Sequence, residues 1–223
     1  MARQYKGKTA LVTGGNKGIG FAICKGLAEL GFEVIIAARS QEKAEAAAKE
    51  IAKEGDRSLR TLELDVTDDY SIHSAVQTLE KEIRHLDVLV NNAGIYPDKD
   101  VDILSVSRDL LNLAANTNAF GAIAVTQAFL PLLHTAPSPC VLNVSSGYGA
   151  LDYLSSGVPS YSLSKLALNG ATIMLADALR PKGIAVYATC PGWVRTDMGG
   201  ADALRSPWAQ IQLFGWRRKL PLN

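Results

Sequence analysis

The stretch that decides the fold reads Thr-Ala-Leu-Val-Thr-Gly-Gly-Asn-Lys-Gly-Ile-Gly over residues 9–20. Its first five residues form an apolar run typical of a buried strand, and an apolar-periodic helix follows the glycines. Glycines at such a junction let the backbone turn tightly and approach a pyrophosphate, whose charge then rests on free N–H groups at the positive end of the helix. The G-x-x-x-G-x-G spacing of Gly14, Gly18 and Gly20 departs from G-x-G-x-x-G, so an ordinary glycine-rich turn stays the alternative at this point.

The same alternation of short apolar runs and longer helical patterns continues along the chain, which predicts successive βαβ units and a parallel sheet. The helices predicted between the strands carry apolar residues on one face and charged residues on the opposite face. We therefore predict an α/β fold: one doubly wound Rossmann domain over residues 1–223, with a parallel sheet of six to seven strands and helices on both faces. The strand candidates are 9–13, 33–38, 86–90, 140–144 and 183–189, and the two longest helical stretches are 108–134 and 159–180.

Composition excludes several classes of protein. The chain has 223 residues, of which 48% are hydrophobic and 20% charged, as in ordinary globular proteins. A net charge of +1 lacks the basic excess of a nucleic-acid-binding protein, and the longest apolar stretch is interrupted by polar residues, so we expect neither a nucleic-acid partner nor a membrane span. Cys24, Cys140 and Cys190 are too widely spaced for a metal or redox pair, and we expect buried thiols in a reducing, cytoplasmic compartment without a metal site.

The end of the second predicted strand favours one form of dinucleotide. NAD enzymes place an Asp or Glu there for the ribose 2′-hydroxyl, whereas this chain reads Ala-Ala-Arg-Ser over residues 37–40. Arg39 can bind a 2′-phosphate bidentately, and Lys17 in the glycine loop can approach it from the other side. We therefore predict NADP(H) rather than NAD(H) as cofactor; the alternative is that both cations are unrelated surface residues.

At this point the sequence resembles the short-chain dehydrogenase/reductase family, particularly its NADPH-dependent carbonyl-reductase-like members. The resemblance covers residues 8–198 and rests on seven motifs that occur in the family's order. They are Thr13-Gly-x-x-x-Gly-x-Gly20, Asp65-Val66, Asn91-Asn-Ala-Gly94, Asn118-x-x-Gly121, Asn143-x-x-Ser146, Tyr161-x-x-x-Lys165 and Pro191-Gly-Trp-Val-Arg-Thr196.

The chemistry of one motif can be argued from spacing alone. Four residues apart on a helix, Tyr161 and Lys165 lie on one face with Cβ atoms ~5–6 Å apart. A cation ~4 Å from the phenol, at an effective dielectric near 20, contributes ~4 kcal/mol or roughly three pK units, which would bring the pKa of Tyr161 close to neutrality. We predict that Tyr161 protonates a carbonyl oxygen as hydride arrives. The resemblance implies that Lys165 also holds the nicotinamide ribose.

The resemblance implies further site residues. Ser146 would hydrogen-bond the substrate oxygen and is chosen over Ser145 because it lies three residues after Asn143. Asn118 would anchor a water relay to Lys165. The cofactor-binding residues would be Gly14, Asn16, Lys17, Gly18, Ile19, Gly20, Arg39, Asp65 and Val66 (adenine), Asn92, Ala93 and Gly94 (cleft), Tyr161, Lys165, and Pro191, Gly192, Val194 and Thr196 (nicotinamide amide).

Aromatic and apolar residues between Ser146 and Tyr161, together with Trp193, predict the substrate class. A wall of this kind favours a hydrophobic ketone, aldehyde or quinone, and we place Ser146, Tyr153 and Trp193 in the substrate pocket. The alternative is that these side chains pack against neighbouring helices or a second subunit.

Residues 199–223 are expected to form a shortened C-terminal substrate segment, in which 211–216 could supply a last strand. Because family-like tetramers use such a terminal helix and strand, we expect a homodimer through the helices at 108–134 and 159–180, with a tetramer as the other possibility.

Two alternatives to a carbonyl reductase stay open. A non-catalytic NADP(H)-binding regulator could use the same fold, although the intact Ser146, Tyr161 and Lys165 weigh against it. A sugar-nucleotide epimerase would share the tyrosine and lysine but normally needs a larger C-terminal domain, and it ranks last.

Overall fold

The computed structural model describes residues 5–55, 57–98, 100–200 and 202–205. Within them, six parallel strands form one sheet in the order β3-β2-β1-β4-β5-β6. The prediction of a parallel six- to seven-stranded sheet is therefore confirmed. The strands are β1 (Thr9–Thr13), β2 (Glu33–Ala38), β3 (Leu59–Glu63), β4 (Val88–Asn91), β5 (Cys140–Val144) and β6 (Ala185–Thr189).

Seven α-helices lie within these described ranges. They are α1 (Gly18–Leu30), α2 (Gln41–Ala52), α3 (Asp69–Glu82), α4 (Arg108–Ala115), α5 (Gly121–Ala128), α6 (Leu130–His134) and α7 (Pro159–Leu179). A single π-helical turn, Asn116–Phe120, joins α4 to α5. Short 3₁₀ turns are formed by Gly147–Gly149, Leu151–Tyr153 and Arg180–Lys182.

Helices cover both faces of the sheet, as predicted. Successive strand residues point to opposite faces, so Ala10 and Val12 of β1 belong to one core layer and Leu11 to the other. The first layer takes its helical residues from α1 and α2, and the second from α3, α5, α6 and the end of α7. The strands are apolar on both faces because both faces are buried.

The predicted helix over 108–134 is wrong as a continuous element. Within the π-helical turn the N–H of Gly121 donates to the carbonyl of Asn116, which inserts one extra residue into the helix. A second interruption follows at Phe129, and Pro131, which has no N–H, lies in the first turn of α6. The helical periodicity of the sequence continues across both interruptions and therefore does not reveal them.

The strand order reverses between β1 and β4, and the carboxyl ends of these strands frame a crevice where ligands bind in such sheets. The residues predicted to bind cofactor and substrate lie in the segments that follow the strands at this edge. The strand predicted at 211–216 and most of the segment 199–223 lie outside the described residues. No helix in the described ranges is long and apolar enough to cross a membrane.

The cysteine prediction needs one correction. Cys24 and Cys140 are buried free thiols, whereas Cys190 is exposed. Burial raises the pKa of the Cys140 thiol to about 12 and that of Cys24 further still. Cys190 is exposed because it follows β6 at the crevice edge, where its sulfur accepts the N–H groups of Gly147 at 3.1 Å and Gly192 at 3.4 Å.

Candidate active site

The glycine loop between β1 and α1 has the close backbone approach that a pyrophosphate site requires. A Cβ at Gly20 would lie 2.3 Å from the carbonyl oxygen of Gly14, and Gly14 has a left-handed φ of 62°. Helix α1 has no side-chain cap and no acidic residue in its first turn. Its N-terminal N–H groups therefore face the loop without a competing carboxylate, as the residues of a phosphate cradle should.

Two polar side chains fix the loop against the end of β4. The Asn92 amide donates to the carbonyls of Thr13 at 2.9 Å and Gly14 at 3.2 Å. In return, the Thr13 hydroxyl accepts the N–H groups of Asn92 and Ala93, both at 3.0 Å. Asn92 thus holds the glycine loop through its side chain, and Ala93 lies beside that loop; their contact with a cofactor stays a prediction.

The two cations predicted to bind a 2′-phosphate differ in their surroundings. Arg39 follows β2 at the crevice edge and is exposed, without an ion pair among the described residues. Lys17 instead has its Nζ 2.9 Å from the Asp197 carboxylate, with both side chains exposed. In this structure Lys17 pairs with Asp197, and the binding of a 2′-phosphate by Arg39 and Lys17 stays a prediction.

The remaining predicted cofactor residues lie at the same edge of the sheet. Asp65 and Val66 follow β3, and the Asp65 carboxylate accepts the Thr67 N–H and hydroxyl. Gly18 approaches the segment after β6, since a Cβ there would lie 3.3 Å from the Thr196 methyl group. The others lie nearby; they are Asn16 in the glycine loop, Ile19 in the first turn of α1, Gly94 after β4, and Pro191, Gly192 and Val194 after β6.

Tyr161 and Lys165 point into one pocket from the first turns of α7. The Lys165 Nζ lies 5.8 Å from the centroid of the Tyr161 ring and donates to the carbonyl of Val144 at 2.8 Å. The Ser146 side chain, which follows β5, lies close enough to Tyr161 to lower the pKa of its hydroxyl. Ser145 is buried and donates instead to Asn169 at 2.6 Å, so Ser146 is the serine beside Tyr161.

The expected lowering of the Tyr161 pKa is wrong for this structure. Burial raises the pKa of Tyr161 above its ordinary value of 10.0, and the nearby Ser146 side chain opposes this rise only in part. Lys165 does not lower it, because burial reduces the pKa of Lys165 itself to about 8 and its Nζ is turned toward Val144. Desolvation, which spacing on a helix does not reveal, outweighs the expected attraction between the two groups.

Asn118 lies in the π-helical turn with its side chain fully hydrogen-bonded. Its Oδ1 accepts the Ile95 N–H at 2.8 Å, and its Nδ2 donates to the Ile95 carbonyl and the Ser164 hydroxyl, both at 2.9 Å. The side chain therefore connects the segment after β4 to α7. The water relay to Lys165 that the resemblance implies stays a prediction.

Two tyrosine rings flank Tyr161: Tyr148, which is one of the aromatic residues of the predicted wall, and Tyr96, which the prediction did not include. The ring of Tyr96 lies 5.0 Å from that of Tyr161 at an angle of 59°, and the ring of Tyr148 lies 6.1 Å away, edge to face. Trp193 donates its indole N–H to the Gly199 carbonyl at 2.8 Å. Tyr153 is 71% exposed in a 3₁₀ turn and is not brought against Tyr161. The sequence analysis missed Tyr96, whose position two residues after the Asn-Asn-Ala-Gly motif was the available signal.

A glycine-rich loop at the switch point of a 3-2-1-4-5-6 parallel sheet defines a Rossmann-type dinucleotide-binding protein. A family model described as short chain dehydrogenase matches residues 8–205, so the chain belongs to this family of oxidoreductases. Among the described residues, no three His, Cys, Asp or Glu side chains cluster so that they could hold a metal ion.

Individual relatives support this assignment. The short-chain dehydrogenase anuI of Penicillium roqueforti is 35% identical over 209 residues, covering 88% of this chain and 82% of that protein. Carbonyl reductase (NADPH) 1 of Sus scrofa is 34% identical over 244 residues, covering 90% of this chain and 83% of that protein. The crystal structure of an NADPH-bound carbonyl reductase from chicken fatty liver superposes with a TM-score of 0.84 at 30% identity, covering 93% of this chain and 89% of that one.

Proposed function

We propose that the protein is an NADPH-dependent reductase that converts the carbonyl group of a hydrophobic ketone, aldehyde or quinone to a hydroxyl group. The observation that carries the proposal is the pocket in which Ser146, Tyr161 and Lys165 meet beside the dinucleotide crevice. A non-catalytic NADP(H)-binding regulator would have no use for a proton donor beside a serine and a lysine at this position.

Three features of the crevice are those expected of a dinucleotide-binding site. The loop has glycines at positions where a Cβ would clash with the backbone. The N-terminus of α1 has no side-chain cap, and no carboxylate of the described residues pairs with Arg39. In the proposal, the glycine loop holds the pyrophosphate and Arg39 the 2′-phosphate. Asp65 and Val66 contact the adenine, and Pro191 to Thr196 hold the nicotinamide amide.

Each residue of the pocket has one task in the proposed reaction. The bound NADPH supplies the hydride to the carbonyl carbon. Tyr161, which its raised pKa keeps protonated at neutral pH, donates its proton to the carbonyl oxygen as the carbon–oxygen double bond is reduced. Ser146 orients that oxygen by a hydrogen bond. Lys165 holds the nicotinamide ribose and returns Tyr161 to its protonated form.

Replacing Arg39 with Ala is expected to abolish the preference for NADPH. A charge-assisted bidentate contact to a phosphate contributes about 1.5–3 kcal/mol, so the Kd for NADPH should rise about 10- to 100-fold while that for NADH stays unchanged. Titration calorimetry with both nucleotides measures the two constants. Arg84→Ala, which removes an exposed arginine between α3 and β4, is the matched control, and equal losses for NADPH and NADH would contradict the assignment of Arg39.

The aromatic rings around Tyr161 support the proposed class of substrate. Tyr96 and Tyr148 flank Tyr161 and leave part of their surface exposed, which favours a flat or apolar group beside the reacting carbonyl. A screen that follows NADPH absorbance with varied ketones, aldehydes and quinones tests this directly. Turnover of apolar carbonyl compounds is expected; tight NADPH binding without turnover of any compound would favour the regulator.

We also propose that the protein is a homodimer, which rests on an apolar exposed stripe along α7. Leu163, Ala167, Gly170 and Met174 recur at intervals of one turn on its exposed side. Met174 is 74% exposed, an unusual position for a large apolar residue. Light scattering is expected to give the mass of a dimer for the wild-type chain and of a monomer for Ala167→Asp. A wild-type monomer would contradict the proposal.

A further inference from the structure

The N-terminus of α7, which carries Tyr161, is capped by a residue far away in sequence. The helix begins with Pro159, which has no N–H, and the Ser162 N–H already donates to the Val158 carbonyl. Two N–H groups remain, those of Ser160 and Tyr161. Both donate to the Asp98 carboxylate, Ser160 to Oδ1 at 3.0 Å and Tyr161 to Oδ2 at 2.7 Å. Asp98 therefore satisfies every N–H that this helix start leaves open.

The helix supplies no cap of its own at this end. Its N-cap residue, Val158, makes no side-chain hydrogen bond and has φ 50° and ψ 46°. This left-handed conformation is strained for a β-branched residue and persists only where surrounding contacts enforce it. The Asp98 carboxylate, only 6% exposed, binds two N–H groups within three residues of Val158.

The segment that carries Asp98 also holds Tyr161 at two further points. The Tyr96 ring packs against the Tyr161 ring at 5.0 Å. Asn118, bound to the main chain of Ile95, donates to the Ser164 hydroxyl, which in turn donates to the Tyr161 carbonyl at 2.7 Å. The N–H, the carbonyl and the ring of Tyr161 are thus all fixed from residues 95–98.

We propose that Asp98 is a positioning residue that holds the backbone of Tyr161 so that its hydroxyl stays beside Ser146. The role rests on the proposed function, in which Tyr161 donates the proton. Among the described residues, the hydrogen bonds of the Asp98 carboxylate go to the main chain of α7, so it acts through Tyr161 and not on the substrate.

The decisive measurement is the pKa of Tyr161, because it does not depend on turnover. The neighbouring Ser146 side chain lowers this pKa. If Asp98→Ala lets the helix start move, Tyr161 leaves Ser146 and its pKa rises toward the value found in Ser146→Ala. The titration is followed by NMR of isotope-labelled tyrosine rings, with Tyr161→Phe identifying the signal.

Activity provides the second measurement. At saturating NADPH, kcat for carbonyl reduction is expected to fall about 10- to 100-fold in Asp98→Ala, since a displacement of about 1 Å has such an effect on catalysis. The Kd for NADPH should change by less than about 2-fold, because Asp98 lies outside the phosphate cradle. Asp98→Asn, which keeps one acceptor oxygen, is expected to change the pKa of Tyr161 and kcat less than Asp98→Ala does. If the alanine variant does not fold, the asparagine variant is used for both measurements.

Asp68→Ala is the matched control, since Asp68 caps α3 by accepting the Tyr70 N–H at 2.9 Å. It should lower stability without changing kcat or the pKa of Tyr161. Folded Asp98 variants with the wild-type pKa of Tyr161 would overturn the inference. A shifted pKa in a protein that reduces no carbonyl compound would support the inference and count against the proposed function alone.

Discussion

Tyr161→Phe is expected to lower kcat for carbonyl reduction by about 10²- to 10⁴-fold, the range that a positioned proton donor contributes. The substitution removes only the hydroxyl group, and the ring keeps its contacts with Tyr96 and Tyr148. Affinity for NADPH should therefore stay within about 2-fold of the wild type. Steady-state kinetics and nucleotide binding on the same preparation measure both quantities.

The pH dependence of the reduction rate provides an independent test of the role of Tyr161. Burial raises the pKa of Tyr161 above 10.0, so its proton is present at neutral pH and is lost only as the pH rises past that value. The wild-type reduction rate should thus be level at neutral pH and fall in the alkaline range, whereas the residual rate of Tyr161→Phe should lack this fall. Tyr148→Phe removes a hydroxyl from a neighbouring ring and is the matched control. Full activity in Tyr161→Phe would refute the assigned role.

Gly20→Ala is expected to weaken NADPH binding by about 100-fold or more. The added Cβ would lie 2.3 Å from the Gly14 carbonyl oxygen and 2.4 Å from the Asn92 amide nitrogen, and the first of these is backbone that cannot rotate away. Either α1 or the glycine loop must shift, which removes the N–H groups that hold the pyrophosphate. Calorimetric titration with NADPH measures the loss.

Gly170→Ala is the control for this substitution. Gly170 lies within α7, where an added Cβ meets nothing within 4 Å. Alanine favours the helical backbone over glycine and should leave NADPH binding unchanged, since Gly170 lies on the stripe proposed for the dimer contact and away from the glycine loop. Unaltered binding in Gly20→Ala would mean that the glycine loop is an ordinary turn.

The fold could be predicted because its signals are local. The strands at 33–38 and 140–144 match β2 and β5, since a parallel strand buried on both faces reads as a continuous apolar run. The edge strand β3 was not identified individually, because Arg60 and Thr61 are only partly buried and interrupt the apolar pattern. Motif spacing likewise placed Ser146, Tyr161 and Lys165, which the structure brings together.

The parts that could not be predicted depend on contacts between distant segments. Asp98 lies more than 60 residues before Tyr161, and no spacing rule connects an aspartate after β4 to the start of α7. The direction of the Tyr161 pKa depends on burial, which the periodicity of one helix does not measure. The pairing of Lys17 with Asp197 joins residues 180 positions apart.

The most direct test of carbonyl reduction is a single turnover with NADPH that carries deuterium at the transferable position. With an apolar ketone or aldehyde identified in the screen, the account predicts one deuterium on the carbinol carbon of the product in the wild type and almost none in Tyr161→Phe over the same time. Bound, unoxidised NADPH in the wild type with every carbonyl compound would contradict it.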